Sequence, residues 1–225
     1  MNEYSLEDRI AVVRDNIARA ADGREVTLVG VAKTKPAALV RRAVAAGLTV
    51  IGENYVQEIR DKSAENAYDG AEVHMIGHLQ ANKIKYVAGK VAMIQSVDSA
   101  PLLEGIAKRA DSLGRVQDVL IEVNIGGESS KSGVRPEMIE ELFETASRVR
   151  GVRVRGLMTI PPAEDTAIYF PRMYHLFIDN KEKKYDNVFM DFLSMGMSDD
   201  YEVAIREGAN MVRVGSFIFG PRNYT

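Results

Sequence analysis

Three short stretches carry residue types that can do chemistry together. Lys33 follows directly on the apolar run TLVGVA (27–32), and Lys35 stands two positions on. If the Lys33 stem enters a desolvated mouth, burial and the neighbouring cation both disfavour the ammonium and release a nucleophilic amine. Position alone favours the plainer reading of a solvated lysine at a strand end, because perturbed lysines are uncommon outside functional sites. The other two stretches are SMGMS (Ser194–Ser198) and VGSFIFG (Val214–Gly220), both small and rich in donors. Such turns offer hydroxyls and backbone N–H groups to an anion, and the same residues also serve as ordinary helix caps and turns. His74, His78 and His175 share no metal-ligand spacing and no carboxylate cluster accompanies them, so no metal site is expected. His74 is expected as a lining or interior histidine and His175 as a surface residue.

The elements that must position these residues follow from apolar periodicity. Ser5 is placed as the N-cap of an opening amphipathic helix over 5–20, with Leu6, Ile10, Val13 and Ile17 at helical spacing. Short apolar runs of strand type then recur at 27–32, 48–52, 72–77, 91–96, 116–124, 152–158, 192–195 and 209–214. A helical stretch lies between each consecutive pair, including LQANKIKYVAG (79–89) between the third and fourth. Strands joined through helices must pair in parallel. Eight such units in 225 residues predict a single-domain (β/α)8 barrel spanning residues 1–225, with one extra N-terminal helix. An open doubly wound sheet is the weaker alternative, since no G-x-G-x-x-G follows the first strand. The loop Gly126–Gly133 is the most flexible stretch and is too short to be a domain boundary.

In such a barrel function belongs at the C-terminal ends of the strands. There stand Lys33, Lys35, Glu53, Asn54, His78, Ser96, Asp98, Asn124, Met158, Thr159, Ser194–Ser198, Gly215 and Ser216. The loops after strands seven and eight are the recurrent phosphate site of this architecture, which favours an anion at the loop Ser194–Ser198 and at Gly215 and Ser216. A lysine opposite a phosphate anchor points to a phosphorylated carbonyl compound held as a Schiff base. Pyridoxal phosphate and the sugar phosphates of Schiff-base aldolases both meet that description.

Composition narrows the class. With 29 Lys+Arg against 32 Asp+Glu the chain carries a formal charge of -3, which argues against nucleic acid as the main partner. Its 46% hydrophobic and 27% charged residues are ordinary for a globular protein. There is no cysteine, so disulfides and thiol catalysis are excluded and a reducing compartment fits. The N-terminus has no signal-peptide pattern and no apolar run is long enough to span a bilayer, so a cytoplasmic location is expected, with no membrane partner.

The segments VGVAKTKP (29–36), GENYVQE (52–58), HMIGHLQANK (74–83), SVDS (96–99), VNIGGESSKSG (123–133), LSMGMSDDYEVAI (193–205) and MVRVGSFIFG (211–220) run in order along the chain. Together they resemble the YggS/PROSC family of pyridoxal phosphate-binding proteins, similar in fold to the N-terminal barrel of alanine racemase. The resemblance implies pyridoxal phosphate as cofactor, held as a Schiff base on Lys33. It also implies phosphate contacts from Ser198, Gly215 and Ser216, the Arg213 guanidinium beside the pyridine nitrogen, and Asn54 near the cofactor. An arginine stays protonated and cannot accept a pyridinium proton, so the ring is expected to be a weak electron sink. Racemisation needs a second base, which in the racemase comes from a second domain that this chain is not expected to carry. The implied role is a carrier or regulator of intracellular pyridoxal phosphate, without strong catalysis, working as a monomer and handing cofactor to apo-enzymes. The alternatives are a weak pyridoxal phosphate-dependent amino-acid racemase and, behind it, a sugar-phosphate aldolase.

Overall fold

The computed structural model describes residues 4–128 and 131–221; Ser129 and Ser130 of the Gly126–Gly133 loop lie outside the described residues. Eight strands close into a parallel barrel in chain order: β1 (Thr27–Val31), β2 (Val50–Glu53), β3 (Glu72–Met75), β4 (Met93–Val97), β5 (Gln117–Glu122), β6 (Val152–Met158), β7 (Val188–Ser194) and β8 (Met211–Val214). Around them lie α1 (Leu6–Ala21), α2 (Ala37–Ala45), α3 (Val56–Ala64), α4 (Ile84–Val87), α5 (Ala100–Asp111), α6 (Ile139–Arg148), α7 (Thr166–Lys181), α8 (Tyr201–Arg206) and α9 (Ser216–Phe219). The (β/α)8 expectation holds, as does the extra helix. Ser5 caps α1 reciprocally: its Oγ accepts from the Asp8 N–H at 3.1 Å, and its own N–H donates to the Asp8 carboxylate at 3.1 Å.

Two apolar layers hold the barrel. The larger lies between strands and helices and buries Leu6, Ile10, Val13 and Ile17 of α1, the stripe read from their spacing. The smaller fills the barrel interior with Val29, Val50, Met93, Leu120, Met158 and Met211. Because side chains alternate along a strand, the positions two residues beyond several of these also face inward and end at the C-terminal mouth. Val31, Gly52, Gln95, Glu122 and Arg213 are such positions. This alternation delivers polar groups to the mouth from strands that otherwise read as apolar.

Two elements depart from the expectation. The helix placed at 79–89 is a 3-10 turn (Ala81–Lys83) followed by the single turn α4. Lys83, Lys85 and Lys90 crowd this segment, and only Ile84 and Val87 of α4 are buried, too little apolar surface to hold a longer helix. Strand β7 starts at Val188 rather than 192. Its first half alternates buried Val188 and Met190 with exposed Phe189 and Asp191, and Asp191 is paired with Arg155 of β6 at 2.5 Å. A charged residue within a half-exposed strand obscured that alternation.

Candidate functional site

A cavity of about 230 Å³ opens at the C-terminal mouth of the barrel, and all six sequence-derived site residues line it: Lys33, Asn54, Ser198, Arg213, Gly215 and Ser216. They arrive from the ends of β1, β2, β7 and β8, as strand-end function in this architecture requires. Val31, Ile76 and Ile160 add apolar wall. Other rim residues do structural work instead. Ser96 Oγ donates to the Gly77 carbonyl at 2.6 Å, and Asn124 ties down its own loop through the Glu128 and Lys131 carbonyls. His78 is exposed, 3.4 Å from Asp98. His74 is buried in the barrel and His175 sits exposed on α7, where Nδ1 lies 2.7 Å from the Pro171 carbonyl.

The loop bearing Lys33 is fixed from both sides. Lys62 of α3, itself buried, donates to the Ala32 carbonyl at 2.8 Å, to Glu53 Oε1 at 2.7 Å and to Glu58 Oε2 at 2.8 Å. The Glu58 carboxylate in turn accepts the Thr34 N–H at 2.9 and 3.0 Å. Thr34 has φ 64, a left-handed conformation that a β-branched residue adopts only when its surroundings impose it. The two residues flanking Lys33 are thus anchored to one buried ionic cluster, completed by Tyr68, whose hydroxyl donates to Glu53 Oε1 at 3.0 Å. Burial pushes the Glu53 carboxyl up to about 7 despite the opposing pull of Lys62. Lys35 is committed elsewhere: its Nζ donates to the Pro221 carbonyl at 2.7 Å, and burial followed by the Arg9 charge holds its pKa below the ordinary lysine value.

Across the mouth, Ser198 Oγ accepts from the backbone N–H of Gly215 at 3.2 Å and of Phe217 at 3.5 Å. The two predicted anion loops therefore meet, with a hydroxyl and backbone donors converging on one point. Two glycines make the meeting possible. Gly196 has φ +93 in the turn after β7, and a Cβ on Gly215 would stand 3.2 Å from Val31 Cβ and 3.3 Å from the Val31 carbonyl.

Arg213 is 4% exposed and aims its guanidinium within the mouth through two bonds, Nη1 to Ser194 Oγ at 2.7 Å and Nη2 to the Thr159 carbonyl at 2.8 Å. Burial lowers its pKa to about 10, with Glu122 and Asp200 opposing, so it remains a cation at neutral pH. Glu122, buried two residues beyond Leu120 on β5, has its carboxyl raised to about 7 by burial first and by Asp98 second, against the pull of Arg213. Sequence reading missed Glu122, and it named Ser194 only as part of a loop. The available signal was an acid or hydroxyl two positions from an apolar interior residue. Asn54 Oδ1 is buried at the cavity with no hydrogen-bond partner among the described residues, an acceptor that a ligand donor would satisfy.

The chemistry assembled here is an amine at one side, anion donors at the other, a fixed cation on the floor and an unsatisfied amide between them. That set fits a phosphorylated carbonyl compound. Among the described residues no three His, Asp or Glu side chains converge as a metal site, and no helix is long and apolar enough to cross a membrane.

Comparison with known proteins agrees in fold and in length. The family described as "Alanine racemase, N-terminal domain" matches residues 7–223. The chain is 46% identical to the "Pyridoxal phosphate homeostasis protein" of Aquifex aeolicus, covering 96% of this chain and 98% of that one. It is 38% identical to the protein of the same description from Escherichia coli, over 98% of each. Among solved structures it is similar to PipY of Synechococcus elongatus with pyridoxal phosphate bound, at TM-score 0.86 and 32% identity, covering 96% of this chain and all of that one. An alanine racemase from Clostridium difficile shares the fold at TM-score 0.74 and 15% identity, this chain covering 57% of it.

Proposed function

Because the chain belongs to the pyridoxal phosphate homeostasis proteins, within the alanine racemase N-terminal domain family, we propose that it binds pyridoxal 5'-phosphate reversibly and serves as its carrier or regulator. The observation that carries this reading is the convergence of Lys33, Arg213 and the Ser198–Gly215 donor pair on one cavity. Lys33 would take the aldehyde through its amine, Ser198, Gly215 and Ser216 the phosphate, Arg213 the ring nitrogen, and Asn54 a polar group of the ring. When bound, the cofactor supplies a capturable aldehyde and a conjugated ring.

The residues favour holding over turnover. Arg213, protonated at neutral pH, presents only donors to the ring nitrogen. Of the other titratable side chains on the described cavity wall, Lys35 is bonded to the Pro221 carbonyl and Asp199 is exposed at the rim before α8. That leaves Lys33 as the one well-placed base, whereas racemisation requires proton transfer on both faces of a carbon. In this reading the barrel is the complete binding unit and works as a cytoplasmic monomer that yields its cofactor to apo-enzymes.

The test is direct. Ligand-free protein titrated with pyridoxal phosphate should develop a visible absorbance band. Borohydride reduction should then fix one ligand mass on the peptide containing Lys33. Lys33→Ala with an unchanged band, or reduction at another lysine, would refute the assignment. Solvent deuterium exchange at Cα of alanine separates carrier from racemase: turnover at ~1 s⁻¹ or faster, the ordinary enzyme range, would favour the enzyme.

A further inference from the structure

The Arg213 guanidinium is the first member of a file of hydrogen bonds that crosses the barrel interior. Arg213 Nη1 donates to Ser194 Oγ at 2.7 Å, Ser194 Oγ to Gln95 Oε1 at 2.8 Å, and Gln95 Nε2 lies 2.9 Å from His74 Nδ1. All four side chains are buried, on β8, β7, β4 and β3. The Gln95 amide also touches Met211 Sδ, at 3.2 Å.

The direction of each bond is forced. A guanidinium only donates, so Ser194 Oγ must accept and pass its own proton on. Gln95 therefore turns its oxygen to Ser194 and its NH₂ to His74, whose Nδ1 must be the acceptor and whose proton sits on Nε2. Burial holds the His74 pKa down at about 4, which keeps the imidazole neutral and Nδ1 unprotonated. Apolar side chains pack around the middle of the file, so Ser194 or Gln95 left unpaired has little else to bond. At the two ends Arg213 Nη2 is also held by the Thr159 carbonyl, and His74 Nε2 lies 3.7 Å from Glu72 Oε2. The orientation at one end is thereby tied to the lone pair at the other.

We propose that Ser194, Gln95 and His74 are positioning residues that lock the Arg213 guanidinium with its remaining donors toward the ring nitrogen of the bound cofactor. The link to a cofactor rests on the reading above; the lock on Arg213 does not.

The experiment begins on ligand-free protein labelled with [15N]arginine. The Arg213 guanidinium signals, identified by their loss in Arg213→Lys, report rotation of the group by NMR. In the native chain rotation should be slow. Gln95→Met, close in shape but without hydrogen bonding, should speed it by about tenfold, because Ser194 Oγ then loses its acceptor and no longer holds its oxygen toward the guanidinium. Gln95→Glu, which restores an acceptor for Ser194, should return it toward the native rate. His74→Leu, three bonds from Arg213, should act in the same direction as Gln95→Met, and it decides the matter if that variant does not fold. In the loaded protein, the 15N shift of ring-labelled pyridoxal phosphate should move in Gln95→Met while borohydride still fixes the ligand on Lys33. Native rotation in both Gln95→Met and His74→Leu overturns the lock. Faster rotation with an unmoved ring-nitrogen shift overturns the link to the cofactor. Failure of the native protein to bind pyridoxal phosphate sinks the functional reading alone and leaves the rotation result standing.

Discussion

At the scale of single residues the assignments divide by what each side chain can donate. Ser198 is the sharpest case, because its Oγ is the point on which the N–H groups of Gly215 and Phe217 converge. Ser198→Ala should weaken pyridoxal phosphate binding by about 10- to 100-fold, the range for losing a charge-assisted hydrogen bond. Absorbance titration checks this, and an unchanged affinity would move the phosphate elsewhere. Lys33 was named at a strand end where position alone favoured a solvated lysine, and the loop Ser194–Ser198 with Gly215 and Ser216 was legible from turn chemistry. Arg213 was not. Inside an apolar strand an arginine reads equally as an interior ion-pair residue, and only the family resemblance placed it in the site. Gln95 and Glu122 went unread for a related reason: whether a polar residue in a strand faces the mouth depends on register, which pairing across the sheet decides.

At the scale of elements the decisive feature is how α3 reaches back under the loop after β1. The motif GENYVQE was recognisable, yet the role of Glu58 and of Lys62 beyond it depends on a helix turn stacking their heads beneath Ala32 and Thr34. Lys62→Met should cost about 3 kcal/mol of stability, the scale for stripping one partner from a buried ion pair. It should also raise amide hydrogen exchange at Thr34 by tenfold or more as the strained turn loosens. Denaturant unfolding and exchange mass spectrometry read the two separately. Native stability together with native protection at Thr34 would show that the cluster does not hold the lysine loop. The segments misread from sequence, the shortened α4 and the extended β7, both lie away from this clamp. In β7 a charged residue hid the alternation that marks a strand, and at α4 the helix read from sequence had too little apolar surface to form.

At the scale of the whole molecule, the buried titratable groups set how stability responds to pH. Glu53 and Glu122 ionise at about 7 in the folded chain against 4.5 when unfolded, so the unfolded chain releases these protons first. Their stabilising effect is complete below pH 4.5 and is lost as pH rises through 7. His74 acts oppositely. Its pKa of about 4 against 6.5 makes the unfolded chain the better proton acceptor between those values, and stability from this group grows up to pH 6.5. From pH 6 upward the imidazole is nearly finished while both carboxylates still act, so ligand-free protein should lose about 2 kcal/mol between pH 6 and pH 8. Exposed carboxylates such as Glu7 and Asp8, whose pKa values are lowered, act only in acid and leave this window alone. Urea unfolding at the two pH values measures the loss, and Glu122→Gln should shrink it to under about 1 kcal/mol by removing one of the two ionisations. Stability that is flat or rising over that range would mean that water reaches Glu53 and Glu122, or that Lys62 and Arg213 already hold them ionised at pH 6. In the first case the barrel interior around Glu122 would be wetter than its packing implies.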